Sequence, residues 1–316
     1  MYMGGLVGYL SASSDYIETV SDCSSKILNY RGGGQYIGGF AGYNYDYNVL
    51  NCYSEAGRFD STGGAFLAGF IGNNSCCSTN VIKNCSSVCE SVYTTGQYVG
   101  GFMGYHSLGL IENCHSTVND FVRNNAIQIG GFLGYLNGGK VLKSFSKTGI
   151  IEAPYNQIGG FIGYVGGDNA VVDQCFCEGI ASSSTNSSSM QVGGFIGYNT
   201  CSTGRVTNSY CIGTVNSVSQ SGGFIGFNAS EIHNCYCDVN VNASGEKVGT
   251  LFGELQNTNV TDCFTTKAGT IAGYGSPSNC YSLPDGYSDS QTWSREWDEE
   301  IWDLSKPLPT LKCFDE

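Results

Sequence analysis

Charge and proline are scarce in this 316-residue chain, and both shortages narrow what it can be. Only 13% of its residues are charged and five are proline. Fourteen Lys and Arg stand against 27 Asp and Glu, a formal net charge of -13. The clustered basic residues that a phosphate backbone demands are absent, which excludes a nucleic-acid partner. No run of about eighteen apolar residues occurs, so no membrane-spanning segment is expected. The opening Met1-Tyr2-Met3-Gly4-Gly5-Leu6-Val7-Gly8 has neither a basic region nor a cleavable apolar stretch. It reads as the first copy of a repeat rather than as a signal peptide, with any secretion signal missing from the sequence. Metal-ligand spacing is missing too: Cys175-Phe176-Cys177 has a single intervening residue, short of the two that pair ligands in a zinc site, and no metal or other cofactor is expected.

What is present is glycine, 46 residues of it, with 41% apolar content and 16 cysteines. Few prolines and no triplet register exclude a collagen-like chain, so the glycines must serve turns or close backbone packing. They recur in a motif. The copies include Gly4-Gly5-Leu6-Val7-Gly8-Tyr9, Ile37-Gly38-Gly39-Phe40-Ala41-Gly42-Tyr43, Ile129-Gly130-Gly131-Phe132-Leu133-Gly134-Tyr135 and Ile158-Gly159-Gly160-Phe161-Ile162-Gly163-Tyr164. Closing glycines such as Gly42 and Gly72, or Gly134 and Gly163, stand about thirty residues apart, one coil of a three-sided β-solenoid. The predicted fold is all-β: a right-handed parallel β-helix of about ten coils over 1–282, with a C-terminal capping segment over 283–316. Glycine is expected to meet a positive backbone angle repeated in every coil.

A second element follows each glycine motif: an aliphatic residue, two more residues, Cys or Ser, and often an aromatic. Examples are Val49-Leu50-Asn51-Cys52-Tyr53, Ile111-Glu112-Asn113-Cys114-His115 and Ile232-His233-Asn234-Cys235-Tyr236. In an unbroken strand the aliphatic and the Cys, three apart, would face opposite ways. Both are apolar and belong inside, so the chain must bend between them. Asn or Asp before the Cys tolerates left-handed angles and marks the corner. Beyond it Cys points in and the aromatic points out. Phe145, Phe176, Tyr210, Tyr236, Phe264 and Tyr281 are therefore predicted to form an outward stripe, either a contact surface for sugar rings or a protein, or a stiffening ladder under side loops.

These residues resemble the GLUG motif, a glycine-rich repeat of bacterial surface proteins and of some IgA-protease-like adhesins. The resemblance covers residue 4 to about 282. The last segment, Trp302-Asp303-Leu304-Ser305 followed by Pro307-Leu308-Pro309-Thr310-Leu311-Lys312, is similar to the ending seen after such repeats. Its Trp293, Trp297, Trp302, Leu304 and Leu311 are expected to cover the final coil. The resemblance implies extracellular or cell-surface display and no single ligand.

Cys23, Cys52, Cys85, Cys114, Cys175, Cys235, Cys263 and Cys280 share one repeat position. Stacked strands hold Cβ atoms farther apart than a relaxed disulfide prefers, so a ladder of free buried thiols is expected. Cys76, Cys77, Cys89, Cys201 and Cys313 lie off that ladder and are the better disulfide candidates. Asn-x-Ser/Thr sequons fall at Asn73, Asn84, Asn186, Asn228, Asn242 and Asn259, with Asn186 the best glycan acceptor and Asn84 at a corner. A β-helix polysaccharide-active enzyme would need carboxylates gathered on one face of adjacent coils. Asp168, Asp173 and Glu178 are near one another without a recurring partner set, and His106, His115 and His233 sit at different repeat positions, so no catalytic residue is assigned. Two readings remain. One is an extracellular structural subunit of a fibre or layer, partnered with copies of itself or a related surface protein through its flanks or the first-coil edge, Gly4, Gly5, Leu6, Val7 and Gly8. The other is an adhesin-like stalk that binds a glycan or host protein.

Overall fold

The computed structural model describes residues 1–11, 18–121, 127–154, 157–183, 190–257, 259–283 and 297–315. The chain winds into a parallel β-solenoid walled by four sheets of nine, ten, nine and ten strands, numbered here sheets 1 to 4 in the order a coil visits them. One coil runs through Tyr36–Gly38, Ala41–Tyr45, Asn48–Leu50 and Tyr53–Ser61. The next coil repeats it in register, so that Ile37 meets Leu67, Ala41 meets Ile71, Val49 meets Ile82 and Tyr53 meets Ser86. The expected three sides become four because the glycine motif bends within itself and supplies two strands. The coil count also falls slightly short of ten. Eight coils carry a fourth strand of seven to nine residues, the ninth has only Phe264–Thr265 there, and the tenth is reduced to Ala272–Tyr274 and Tyr281–Ser282.

The bend between sheets 1 and 2 keeps its backbone satisfied. The carbonyl of Phe70 accepts both the Phe40 and the Ala41 N–H, at 2.8 and 3.1 Å, and Phe102 does the same for Phe70 and Ile71. At this bend the phenylalanines turn inward and stack coil on coil. Phe40, Phe70, Phe102, Phe132, Phe161, Phe195 and Phe224 have successive ring centroids 4.8 to 4.9 Å apart, and all are fully buried. Each buried ring contributes about 1.5–3 kcal/mol of transfer free energy.

The motif glycines are there for space and not for backbone angle. None of Gly38, Gly39 and Gly42 has a positive φ. A Cβ on Gly39 would instead stand 1.9 Å from the Gly69 carbonyl oxygen of the next coil, and one on Gly38 would stand 2.0 Å from Ala41 O. Positive angles belong to the corner before Cys, as the sequence implied: Asn51 has φ 53°, Asn84 55°, Asn113 52° and Asn234 56°. These side chains form a ladder, with Asn51 Nδ2 donating to Asp22 Oδ1 at 3.1 Å, Asn84 to Asn51 at 3.0 Å and Asn113 to Asn84 at 2.9 Å.

The alternation of Cys and Ser after the corner has a hydrogen-bonding reason. Cys52 Sγ and Ser144 Oγ each donate to the carbonyl two residues earlier, at 3.2 and 2.8 Å. Side chains at this position also accept from the preceding coil, whose corner N–H lies outside the sheet ladders: Cys85 N donates to Cys114 Sγ at 3.4 Å, and Cys114 N to Ser144 Oγ at 3.1 Å. Two residues further on, a second inward column runs Ser54, Ser87, Ser116, Ser146, Cys177, Cys211 and Cys237. Each donates to the carbonyl at the second position of the Gly-Gly pair or its equivalent, from Ser54 to Gly69 at 2.7 Å through Cys211 to Gly223 at 3.2 Å and Cys237 to Thr250 at 3.3 Å. Sheet 4 is thereby tied across the core to the bend that the glycines permit. A small donor suits both positions because it adds a bond to each carbonyl without crowding the core, a serine hydroxyl strongly and a cysteine thiol weakly; the first-position carbonyls also accept a corner N–H, as Leu50 O does from Asp22 N at 3.0 Å.

Candidate functional site

On sheet 4 the outward aromatics stack as predicted in register, but the C-terminal segment covers most of them. Phe145, Phe176, Tyr210 and Tyr236 have centroids 4.8, 5.0 and 4.9 Å apart, and His115 extends the column 4.8 Å beyond Phe145. Phe176, Tyr210, Tyr236 and Phe264 are buried against Trp297, Trp302 and Leu311. The Tyr236 hydroxyl donates to Pro309 O at 2.7 Å, and Trp297 Nε1 donates to Asp262 O at 3.3 Å. Phe145 is half-buried, with the Phe314 ring meeting it at 5.4 Å and 86°, and Tyr281 remains exposed. Of the two readings of the stripe, these four residues fit the covered ladder and not the open contact surface. One expectation is corrected: the terminal segment lies along the flank instead of across the final coil. The physical reason is that stacked rings turn their edges outward, and those edges offer both apolar area and the positive rim that a perpendicular ring prefers.

Beside Phe314 lies a cleft of about 490 Å³, lined by Asn84, Asn113, His115, Phe145, Lys147 and Phe314 among others. Lys147 Nζ lies 3.5 Å from a Glu178 carboxylate oxygen and 6.0 Å from the Phe176 ring centre. Burial holds the His115 imidazole below its ordinary pKa.

A second outward array went unassigned in the sequence. On sheet 1, Tyr2, Tyr36, Phe66 and Tyr98 stack at 4.9 to 5.0 Å. Beside them on sheet 2 stand Tyr9, Tyr43, Tyr105, Tyr135, Tyr164 and Tyr198. The columns meet edge to face, Tyr36 with Tyr43 at 5.0 Å and 83°, and Phe66 with Tyr105 at 5.8 Å and 81°. Hydroxyls are linked as well: Asn137 Nδ2 donates to Tyr105 Oη at 2.9 Å and Tyr135 Oη donates to Asn137 Oδ1 at 3.2 Å. Burial, then the neighbouring tyrosines, push Tyr135 up to about 12. The signal was available, since a tyrosine closes most copies of the motif. After Tyr98, sheet 1 changes to Gln128, Gln157 and Gln191, and Gln157 Nε2 donates to Gln191 Oε1 at 3.3 Å.

Other predicted residues divide by environment. Asn73 and Asn228 are buried, and Asn228 is held by Asn199 and by Ser230 O, so neither can accept a glycan. Asn84, Asn242 and Asn259 are exposed, and Asn186 lies outside the described residues. All sixteen cysteines are free, including the five off-ladder ones that were the better disulfide candidates. Cys89 is buried within a strand of sheet 4, Cys201 is buried and accepts from Ala170 N, and burial pushes both Cys89 and Cys76 up to about 12. At the first coil, Tyr2–Gly4 and Val7–Ser11 pair with Tyr36–Gly38 and Ala41–Tyr45, and Leu6 between them is exposed.

The three histidines lie on three different sheets. His106 is on sheet 2, His115 on sheet 4 and His233 on sheet 3. Asp173 accepts from Thr207 Oγ1 and Asn208 Nδ2 at 2.6 and 2.8 Å, while Glu178 pairs with Lys147. His106 is fully buried, its Nδ1 accepting from Asn74 Nδ2 at 2.9 Å. Desolvation lowers its pKa to about 4. Between the unfolded value near 6.5 and this one, the unfolded chain binds the extra proton. Stability should therefore fall as pH drops through that window, by up to about 3 kcal/mol, and level off below it. Leu136 fills the same position one coil on, so urea unfolding of His106→Leu should lose that component of the pH dependence.

The fold defines a parallel β-solenoid repeat protein, each coil one copy of a glycine repeat. One copy of it, residues 33–58, matches the family described as "The GLUG motif", a stretch that holds the coil strands from Tyr36 to the start of Tyr53–Ser61. Over 124 residues the chain is 34% identical to Halomucin of Haloquadratum walsbyi, covering 37% of this chain and 1% of that protein. The chain thus spans about 1% of the length of the curated relative it matches. A solved structure from Bacteroides ovatus named "putative immunoglobulin A1 protease" aligns over 86% of both chains at 15% identity and a TM-score of 0.41. Among the described residues no helix is long and apolar enough to cross a membrane.

Proposed function

We propose that this chain is a structural element of an extracellular or cell-surface protein, a stiff rod that assembles laterally into a fibre or layer. The observation that carries the reading is the tyrosine array of sheets 1 and 2. Its two interlocked columns turn ring edges and hydroxyls outward with the spacing of the coils, which suits docking against a surface of the same periodicity. The match to Halomucin supports placement at or outside the cell surface. Free cysteines do not argue against it, because eleven of the sixteen are buried, out of reach of the oxidants and partner thiols that disulfide formation requires. A catalytic role is not proposed, since the histidines are dispersed over three sheets and two of the three neighbouring carboxylates, Asp173 and Glu178, are already engaged.

Electron microscopy and sedimentation of the purified chain test the proposal. Ordered lateral assemblies are expected, and Tyr43→Ser, Tyr105→Ser and Tyr135→Ser combined should return the protein to the 33.6 kDa monomer with its β circular dichroism intact. A wild-type chain that stays monomeric at high concentration, or a triple variant that assembles unchanged, would overturn it. The adhesin-like stalk is the second reading, favoured by the cleft beside His115.

A further inference from the structure

The aromatic column on sheet 4 has a missing member. Read across the sheet in register, the position holds Tyr53, Ser86, His115, Phe145, Phe176, Tyr210 and Tyr236. From His115 onward each ring lies 4.8 to 5.0 Å from the next, with planes within 11° of parallel. Ser86 brings no ring. His115 therefore has no aromatic neighbour on that side, and Tyr53 stands two strands away, roughly 9.6 Å at about 4.8 Å per strand. A flat ring at the Ser86 strand would sit about 4.8 Å from each flanking position, the separation that the occupied strands already adopt.

Other features of the gap suit a ligand. The cleft lies beside the gap and not in it: Asn84, Asn113, His115, Phe145 and Phe314 line it, whereas Ser86 and Tyr53 do not, so His115 is the wall that gap and cleft share. At its rim the corner ladder ends: Asn113 Nδ2 donates to Asn84 Oδ1 at 2.9 Å, but the next corner residue is Lys143, which leaves Asn113 Oδ1 open to a donor. The flanking strands are locked in register, so the height of the slot is fixed at two strand spacings. A puckered, saturated sugar ring with hydrogens on both faces needs more height than a flat ring. The protein's own terminal segment shows what this stripe accepts, with Phe314 packed edge-on at 5.4 and 5.0 Å from Phe145 and Phe176.

We propose that the empty rung at Ser86, between Tyr53 and His115, is a binding slot for one planar aromatic ring, carried by a Phe, Tyr or Trp side chain of an extended peptide segment lying along sheet 4. Asn113 Oδ1 is placed to accept a backbone N–H from that segment. The proposal is independent of lateral assembly through sheets 1 and 2.

The test uses N-acetyltryptophanamide as probe and methyl glucoside as the saccharide comparison, with saturation-transfer NMR on the full chain. The tryptophan compound should bind and the glucoside should not. Ser86→Tyr fills the rung and should weaken probe binding by about tenfold, the loss of two stacked faces, while raising the unfolding temperature. Should that variant fail to fold, His115→Ser decides, because serine already occupies this position one coil away; it removes one face and must also weaken the probe. Unchanged probe binding in either folded variant, or binding of the glucoside in place of the probe, overturns the proposal.

Discussion

Gly131→Ala should prevent the middle of the solenoid from closing, with a loss well above the typical 0.5–3 kcal/mol of a point substitution. A methyl group there meets Gly160 O at 2.1 Å, and also Val118 Cγ2 at 2.9 Å and Ser116 Oγ at 3.1 Å. The first of these is backbone, fixed by the next coil's own hydrogen bonds, and it cannot swing aside as a side chain would. Relief requires separating two coils, which breaks the Gly131 N–H bond to Gly159 O and the paired bonds from Phe132 and Leu133 to Phe161 O, and pulls apart the stacked Phe132 and Phe161 rings. Because each coil touches only its neighbours, the chain on either side retains its own contacts. Circular dichroism should therefore lose β signal in part, and hydrogen exchange should place the loss around residues 127–163. Gly33→Ala is the control. Its added Cβ meets one atom, Thr62 O at 3.2 Å, and its melting curve should stay close to wild type. Equal melting curves for the two variants would refute the close-packing account of the motif.

That account also marks where the sequence was legible. Periodicity revealed the solenoid and the three-residue step from aliphatic to Cys revealed the corner at Asn51, Asn84 and Asn113, because both are local patterns that recur in every coil. The role of Gly39 was read as backbone angle because φ is a local property, whereas its real neighbour, the Gly69 carbonyl, is thirty residues away and visible only once the coils are stacked. The same distance hid the bond from Ser54 to Gly69 O, although Ser and Cys at one repeat position hinted at a shared donor. The outward stripe was correct in direction, and the sequence left open whether it was exposed or covered. Nothing in Phe176, Tyr210 or Tyr236 announces that Trp302, at least 66 residues further along, folds back on them. Two aromatic sets that each lacked a partner in the sequence were in fact partners of each other. His115 was left out of the stripe because it interrupts a run of Phe and Tyr with a residue usually weighed for catalysis, while its ring stacks as theirs do.

Trp302→Ala should release the C-terminal segment while leaving the solenoid folded. Trp302 is fully buried, packed 4.4 Å from Trp297 and about 6 Å from Tyr210 and Tyr236 by ring centroids, and its strand pairs only with Thr310–Leu311. Truncating a buried tryptophan costs about 3–5 kcal/mol. The segment is a small unit held by one apolar cluster and a few hydrogen bonds, so that loss falls almost entirely on its docking. The sheets beneath keep their ladders. The expected result is a near-wild-type main unfolding transition, early proteolysis between residues 297 and 315, and a red-shifted emission from Trp297 as it meets water. Phe176, Tyr210, Tyr236 and Phe264 would then be uncovered together, a contiguous apolar patch of the kind that drives association, so the variant should also bind a hydrophobic dye and self-associate at concentrations where the wild-type flank does not. A single cooperative transition lowered as a whole would show instead that the segment is integral to the solenoid, and that the stacked column on sheet 4 cannot stand without its cover.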